Sequence, residues 1–280
     1  MSRPQAQPCG QTRTTGPPAV MTLFYLKLVV TPLLMWAVSL ASRRWGGLLG
    51  GLLSGMPITS ALVMIFLCLE QGTAFSLNAI PGALGGLAAV QASYACYLFA
   101  SRRLGVALTA VVSLALYGVA AYVLTHWGNL PISIVVALCL VVVLVWATAR
   151  EPRPAQLAQI KARWWEIPMR MVAATGLLML TTGAASWLGP AVSGMLAPIP
   201  VIAWPLVVFS HVQGGRFSMA GMIRGNAIGA VGVIAFYLSL GALLPHLGIA
   251  LTFLLAVGLA VVLTVGLATL LRSRTASTGK

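Results

Sequence analysis

Leu104-Gly105-Val106-Ala107-Leu108-Thr109 returns, 143 positions later, as Leu247-Gly248-Ile249-Ala250-Leu251-Thr252. Working back from that block in the same register, Gly86 meets Gly229, Gly82 meets Gly225 and Gly72 meets Gly215. Phe66 then meets Phe209, Pro57 meets Pro200, Gly51 meets Gly194 and Gly46 meets Gly189. Residues 24–125 align on 167–268 without a gap, with 23 identities in 102 positions. Shared Leu, Val and Ala weigh little in an apolar chain. Gly and Pro weigh more, because they sit where the backbone needs a special geometry. The chain reads as one unit present twice.

The medium around those units follows from composition. The 280 residues are 59% hydrophobic and 7% charged, with a mean hydropathy of +0.97. Asp is absent, and the acids are Glu70, Glu151 and Glu166. A soluble domain of this length has too few charges here to cover its surface. Apolar runs of about 20 residues are the mark of membrane-crossing helices, so the lipid bilayer is the expected partner. The net charge of +14 is read as membrane topology rather than nucleic-acid binding, because no basic stripe with interleaved aromatics occurs. Cys9, Cys68, Cys96 and Cys139 have no metal or CxxC spacing, and no function is assigned to them. No metal and no cofactor is expected.

Nine spans are expected, near 22–42, 46–69, 76–100, 104–125, 131–149, 167–187, 190–210, 219–243 and 247–271. Arg43 and Arg44, Arg102 and Arg103, Arg150 to Arg163, Arg216, and Arg272 to Lys280 follow the odd-numbered spans; the connections after even-numbered spans carry no Lys or Arg. By the positive-inside rule the N-terminus is outside and the C-terminus cytoplasmic, in a bacterial inner membrane. Five spans separate the start of one unit from the start of the next, and an odd number reverses direction. The fold class is therefore all-α and polytopic: 4+1+4 spans in inverted-topology repeats. The parts are an N-terminal tail (1–20), repeat one (21–125), a linker holding span five (126–166), repeat two (167–271) and a cytoplasmic tail (272–280). The tail is polar and Pro-rich, and Met21 is a plausible alternative start. Span one resembles a signal peptide around residues 37–41, but its match to a mid-chain span argues against cleavage.

The second span of each unit carries the functional expectation. Its first copy holds Gly46, Gly47, Gly50, Gly51, Gly55 and Pro57; its second holds Gly189, Pro190, Gly194, Pro198 and Pro200. Proline removes an N–H and clashes one turn back, so neither span is expected to run unbroken. Paired interruptions at corresponding places in two halves point to a midplane binding site in transporters, and a half-helix N-terminus suits an anion. The substrate-binding set is accordingly Pro57, Thr59, Ser60, Pro198, Pro200, Arg224 and Asn226. The alternative is a kink used for packing. Gly82, Gly86, Gly225 and Gly229 share a helix face and are read as packing. Arg224 is either an intramembrane functional charge or a snorkelling one. Lys27 and Arg170 are expected to snorkel. Glu70, His211 and Gln213 are expected at interfacial caps, and Asn78 and Gln91 at a cavity or between helices. No HExxH, GxSxG, Walker loop or carboxylate pair occurs, so no catalytic residue and no enzyme activity is expected.

Each half resembles the GlpM-type family of four-span bacterial membrane proteins. The resemblance rests on the basic residue opening the first span (Lys27, Arg170) and on the second span. That span runs Ser54-Gly55-Met56-Pro57 to Glu70-Gln71-Gly72 in one half, and Ser193-Gly194-Met195 to Gln213-Gly214-Gly215 in the other. It covers about 100 residues per half. The family places a basic residue before the last Gly; Gln71 and Gly214 stand there instead. The whole chain is also similar to bacterial inner-membrane proteins carrying this motif twice. The resemblance implies architecture and no substrate. Two functions are expected from the sequence: a small-solute transporter for a neutral or anionic solute, working by alternating access, or a membrane scaffold or envelope-assembly factor. A polar cavity at the breaks favours the first and a dry midplane the second.

Overall fold

The computed structural model describes residue 22 and residues 24–34, 36–37, 40, 52–53, 55–151, 165–199 and 203–277. These form helices α1 (Phe24–Leu34), α2 (Ile58–Glu70), α3 (Thr73–Ala100), α4 (Val106–His126), α5 (Leu130–Ala149), α6 (Glu166–Gly183), α7 (Ala185–Leu196) and α8 (Ala203–Ser277). Four helices are long and apolar enough to cross a membrane: α3, α4, α5 and the 203–271 part of α8. The expected N-terminal tail, Gly46, Gly51, linker residues 152–164, Pro200 and the Arg170 side chain lie outside the described residues.

Glycines cut the long helices. α8 is interrupted at Gly215 (φ 65°) and Gly248 (φ 71°), and runs as three segments, 203–214, 216–247 and 249–277. α7 is interrupted at Gly189 (φ 73°). Gly72 (φ 90°) separates α2 from α3 and stands 143 positions before Gly215. Both lie in the left-handed region, where a Cβ meets the backbone, so a glycine at each position lets one helix follow another with almost no loop. The expected spans shift accordingly. The helix at expected span three starts at Thr73 rather than 76, and the helical segment at expected span eight covers 216–247 rather than 219–243. The expected span 167–187 ends earlier, at Gly183, and α7 begins two residues later. Pro57 stands immediately before α2, so residues 58–70 form a helix distinct from what precedes them. Pro198 lies in a turn between α7 and α8.

Around a large apolar core, the outer helices turn many of their aliphatic side chains outward. In α4 the buried residues are Thr109, Ser113 and Ala121, while Leu108, Val111, Leu114 and Val119 are exposed. α5 buries Ser133, Ala137, Val141, Leu144, Ala147 and Thr148 and exposes Val135, Val142 and Val143. Small and hydroxyl side chains between helices, with branched aliphatics outward, are what a lipid-facing surface selects. Exposed Trp127 and Trp187 lie at helix ends, and Trp146 lies under the Arg150 guanidinium at 3.6 Å, as aromatic side chains do at membrane interfaces. Asn129 caps α5 by accepting from Ile132 N–H at 3.0 Å, with Pro131 in the first turn.

α3 is the central helix and packs on α2, α4, α5, α7 and α8. Its small residues permit this. A Cβ on Gly82 would overlap the Ala191 carbonyl, and one on Gly194 would overlap the Ala79 carbonyl. α3 and α7 thus cross backbone on backbone. One turn on, a Cβ at Gly86 would lie 3.0 Å from Pro198 Cγ; 143 positions later, one at Gly229 would lie 2.7 Å from Gly55 C. Gly55 is itself 143 positions before Pro198. The glycine rows expected to serve packing do so at Gly82, Gly86 and Gly229.

Candidate functional site

α2 begins without a side-chain cap. Pro57 occupies the N-cap position with φ −74° and ψ 34°, and Ile58 N–H turns back to the Met56 carbonyl at 2.8 Å. The first-turn N–H groups of Thr59 and Ser60 therefore have no intrahelical acceptor. Asn226 lies 11 residues past the Gly215 break, about 16 Å along its helix. Its backbone is pressed against Gly55, where an added Cβ would stand 2.7 Å from the Asn226 carbonyl.

These elements line a partly open cavity of about 30 Å³, formed by Gly55, Met56, Thr59, Ser60, Leu87, Val90, Pro198, Asn226, Ala230 and Val233. At about 10–15 Å³ per water this holds roughly two waters. Six of the lining residues form three pairs 143 positions apart: Gly55 with Pro198, Leu87 with Ala230, and Val90 with Val233. The cavity therefore draws on corresponding positions of the two sequence units. Its polar side chains break that equivalence: Thr59 and Ser60 correspond to Ile202 and Ala203, and Asn226 to Ala83.

Of the seven expected site residues, Thr59, Ser60, Pro198 and Asn226 line this cavity. Pro57 is buried two residues before Thr59 and does not line it. Pro200 lies outside the described residues. Arg224 is half-buried and is not in the lining, and among the described residues nothing hydrogen-bonds to it or pairs with it. Asn78, expected at a cavity or between helices, is exposed. Gln91 is fully buried one turn past Leu87, and neither of its amide atoms has a protein partner. The hydroxyls of Tyr94 and Tyr237, 143 positions apart, are buried and unpartnered too, and Ser60 approaches Tyr237 without completing a hydrogen bond. Buried polar groups without protein partners are those that ordered water satisfies. Periodicity could not reveal Tyr94 and Tyr237, but their match in the repeat is a usable signal.

Two charged clusters lie at opposite ends of α3. At its N-terminal end Lys27 forms an ion pair with Glu70 at 2.5 Å, donates to Thr182 Oγ1 at 2.6 Å and lies 5.3 Å over the Phe66 ring. Lys27, expected to snorkel, is instead 4% exposed. The reason is the partner set: a buried ammonium is tolerable only with an opposite charge and hydrogen-bond acceptors. Glu70, expected as an interfacial cap, is its counter-ion. At the other end Arg216 donates to Glu151 Oε1 at 2.8 Å, to Ser101 Oγ at 2.6 Å and to the Leu98 carbonyl at 3.4 Å; Arg102 reaches the same carboxylate at 3.3 Å. The 28 residues of α3 span about 42 Å. Leu87 and Val90, on the cavity wall, lie about 21 and 26 Å from its start. The cavity is thus midway between the clusters, and each cluster ties residues of one unit to residues of the other.

No family model matches the chain, and comparison with curated proteins and solved structures finds no similar protein. Among the described residues no group of three His, Cys, Asp or Glu side chains is placed to hold a metal ion.

Proposed function

We propose that this chain is a small-solute permease of the bacterial inner membrane, with nine spans in 4+1+4 inverted repeats and a neutral or anionic substrate. The observation that carries the reading is the cavity between the breaks, whose walls are three residue pairs 143 apart with Thr59, Ser60 and Asn226 between them. Alternating access needs a site that both halves share and that can open to either side. The end clusters support that reading. Segments following spans three, five and seven meet at Glu151, whereas the start of span one and the ends of spans two and six meet at Lys27. That grouping is what alternating spans require. The space of about 30 Å³ is small for a solute site, so on this reading the site must widen when it is loaded. The basic clusters put the C-terminus in the cytoplasm.

The test does not need the solute. In a variant lacking native cysteines, Thr59→Cys is reconstituted in vesicles and exposed to a membrane-impermeant maleimide from each side. A permease gives labelling from both sides, and opening the Arg216 end cluster by Glu151→Gln biases it to that side. Pro57→Ala, which lets α2 extend backwards, lowers labelling without loss of thermal stability. The scaffold reading draws on the backbone-to-backbone crossing at Gly82 and Gly194, which leaves little room for movement. It expects no labelling from either side, and that result would remove the permease.

A further inference from the structure

A second, open apolar groove of about 380 Å³, with Leu114, Met169 and Ala173 exposed along it, lies beside the first pocket. Ser93, Leu114, Tyr117, Met169, Ala173, Ile199, Trp204 and Pro205 line it. Its polar atoms are spent internally. Ser93 Oγ donates to the Val90 carbonyl at 2.7 Å, and Tyr117 donates to the Met195 carbonyl at 3.4 Å. What is offered to a ligand is hydrocarbon and aromatic surface. Its size falls within the range of small-molecule sites, about 300–1,000 Å³. Leu114 and Tyr117 lie 8 and 11 residues into α4, about 12 and 17 Å from its start, in the middle of a span.

The two pockets have no lining residue in common, but residues of one adjoin residues of the other. Pro198 lines the polar one and Ile199, the next residue, lines the apolar one. Val90 and Ser93, one turn apart on α3, stand in the same relation. The apolar cavity is also particular to one side of the molecule. The position equivalent to Ser93 is Phe236, fully buried against Tyr237 and Phe253 at ring separations of 5.2 and 5.9 Å. Where one unit has an aromatic ring filling the space, the other has a serine and leaves it open.

We propose that the paired cavities bind one single-chain amphiphile, a long-chain carboxylic acid, with its head between Thr59, Ser60 and Asn226 and its chain along Ser93, Tyr117 and Trp204. The uncapped start of α2 presents N–H groups at the head position, and a helix N-terminus favours an anion. Asn226 lines the cavity, is 5% exposed, and its side chain has no hydrogen-bond partner among the described residues. A carboxylate is small enough for a space that otherwise holds about two waters. The apolar cavity accounts for the rest of the molecule, which a polar solute would leave empty. The inference rests on the permease reading only for the claim that this ligand is carried.

The experiment uses the full chain in lipid nanodiscs with a palmitic acid bearing a photoactivatable diazirine near its chain end, and the methyl ester of the same probe as the headless control. The acid is expected to crosslink to Trp204, Leu114 or Met169, about tenfold more efficiently than the ester, since a hydrogen-bonded carboxylate is worth that much in binding. Ser93→Phe, which copies the protein's own Phe236, should abolish the crosslink while thermal stability is retained. Asn226→Leu should bring the acid down to the level of the ester. Equal labelling by acid and ester, or labelling that survives Ser93→Phe, would overturn the proposal, because either means that ordinary bilayer chains fill the pocket. Labelling as expected, with no maleimide access to Thr59→Cys from either side, keeps the ligand site and rejects transport.

Discussion

The Lys27–Glu70 pair sets the energetic stakes for single side chains. Removing one partner leaves the other buried and uncompensated, which costs about 3–5 kcal/mol, whereas replacing both by apolar groups is close to neutral. Glu70→Gln should therefore destabilise strongly, and Lys27→Met combined with Glu70→Leu should restore most of the loss. Unfolding in a graded denaturant, followed for the single and double variants, checks this; additive losses would mean that the pair is not coupled. The same residues mark a limit of sequence reading. Lys27 occupies a position near a span end where lysines ordinarily snorkel, and nothing local in the sequence says that residues 70 and 182 converge on it. Thr59, Ser60 and Asn226 stand out in the sequence for the opposite reason. They lie beside a proline break or inside an apolar run, where a polar side chain stands out.

At the scale of helices, the decisive contact is the crossing of α3 and α7. Gly82 sits with its Cα against the Ala191 carbonyl, so Gly82→Val must push the two helices apart. The expected cost is at least the 1–3 kcal/mol typical of overpacking. Gly258→Val, at a glycine with open space around it, should be near neutral. Thermal unfolding of the two variants compares them, and equal melting temperatures would show that the crossing is not tight. The repeat made this crossing partly readable, because glycines conserved between the two copies of one chain must answer to a shared geometry. It did not reveal the partner. That Gly86 meets Pro198 and Gly229 meets Gly55 follows from how the units interlock, which no spacing within one unit encodes. Helix limits were misjudged at residues 73 and 216 because hydropathy fades there, while the true punctuation is the left-handed glycine just before each.

For the molecule as a whole, the distribution of basic residues and the two end clusters agree on which helix ends share a side. A fluorescent protein fused after Lys280 should light up in bacterial cells, and alkaline phosphatase at the same point should be inactive. Phosphatase activity without fluorescence would reverse the assignment of sides. The duplication itself has a further consequence. Two identical units facing each other across an axis would place every side chain on that axis twice. A ligand lacking twofold symmetry would then meet two equivalent poses and could enter head-first either way. Joining the units in one chain lifts that degeneracy: Asn226 can line the cavity while its counterpart is Ala83, and Ser93 can leave a hollow that Phe236 fills on the other side. On the proposed inverted arrangement, fusion would turn a reversible lock into one with a single keyway, and the proposed ligand would have a defined up and down in the membrane.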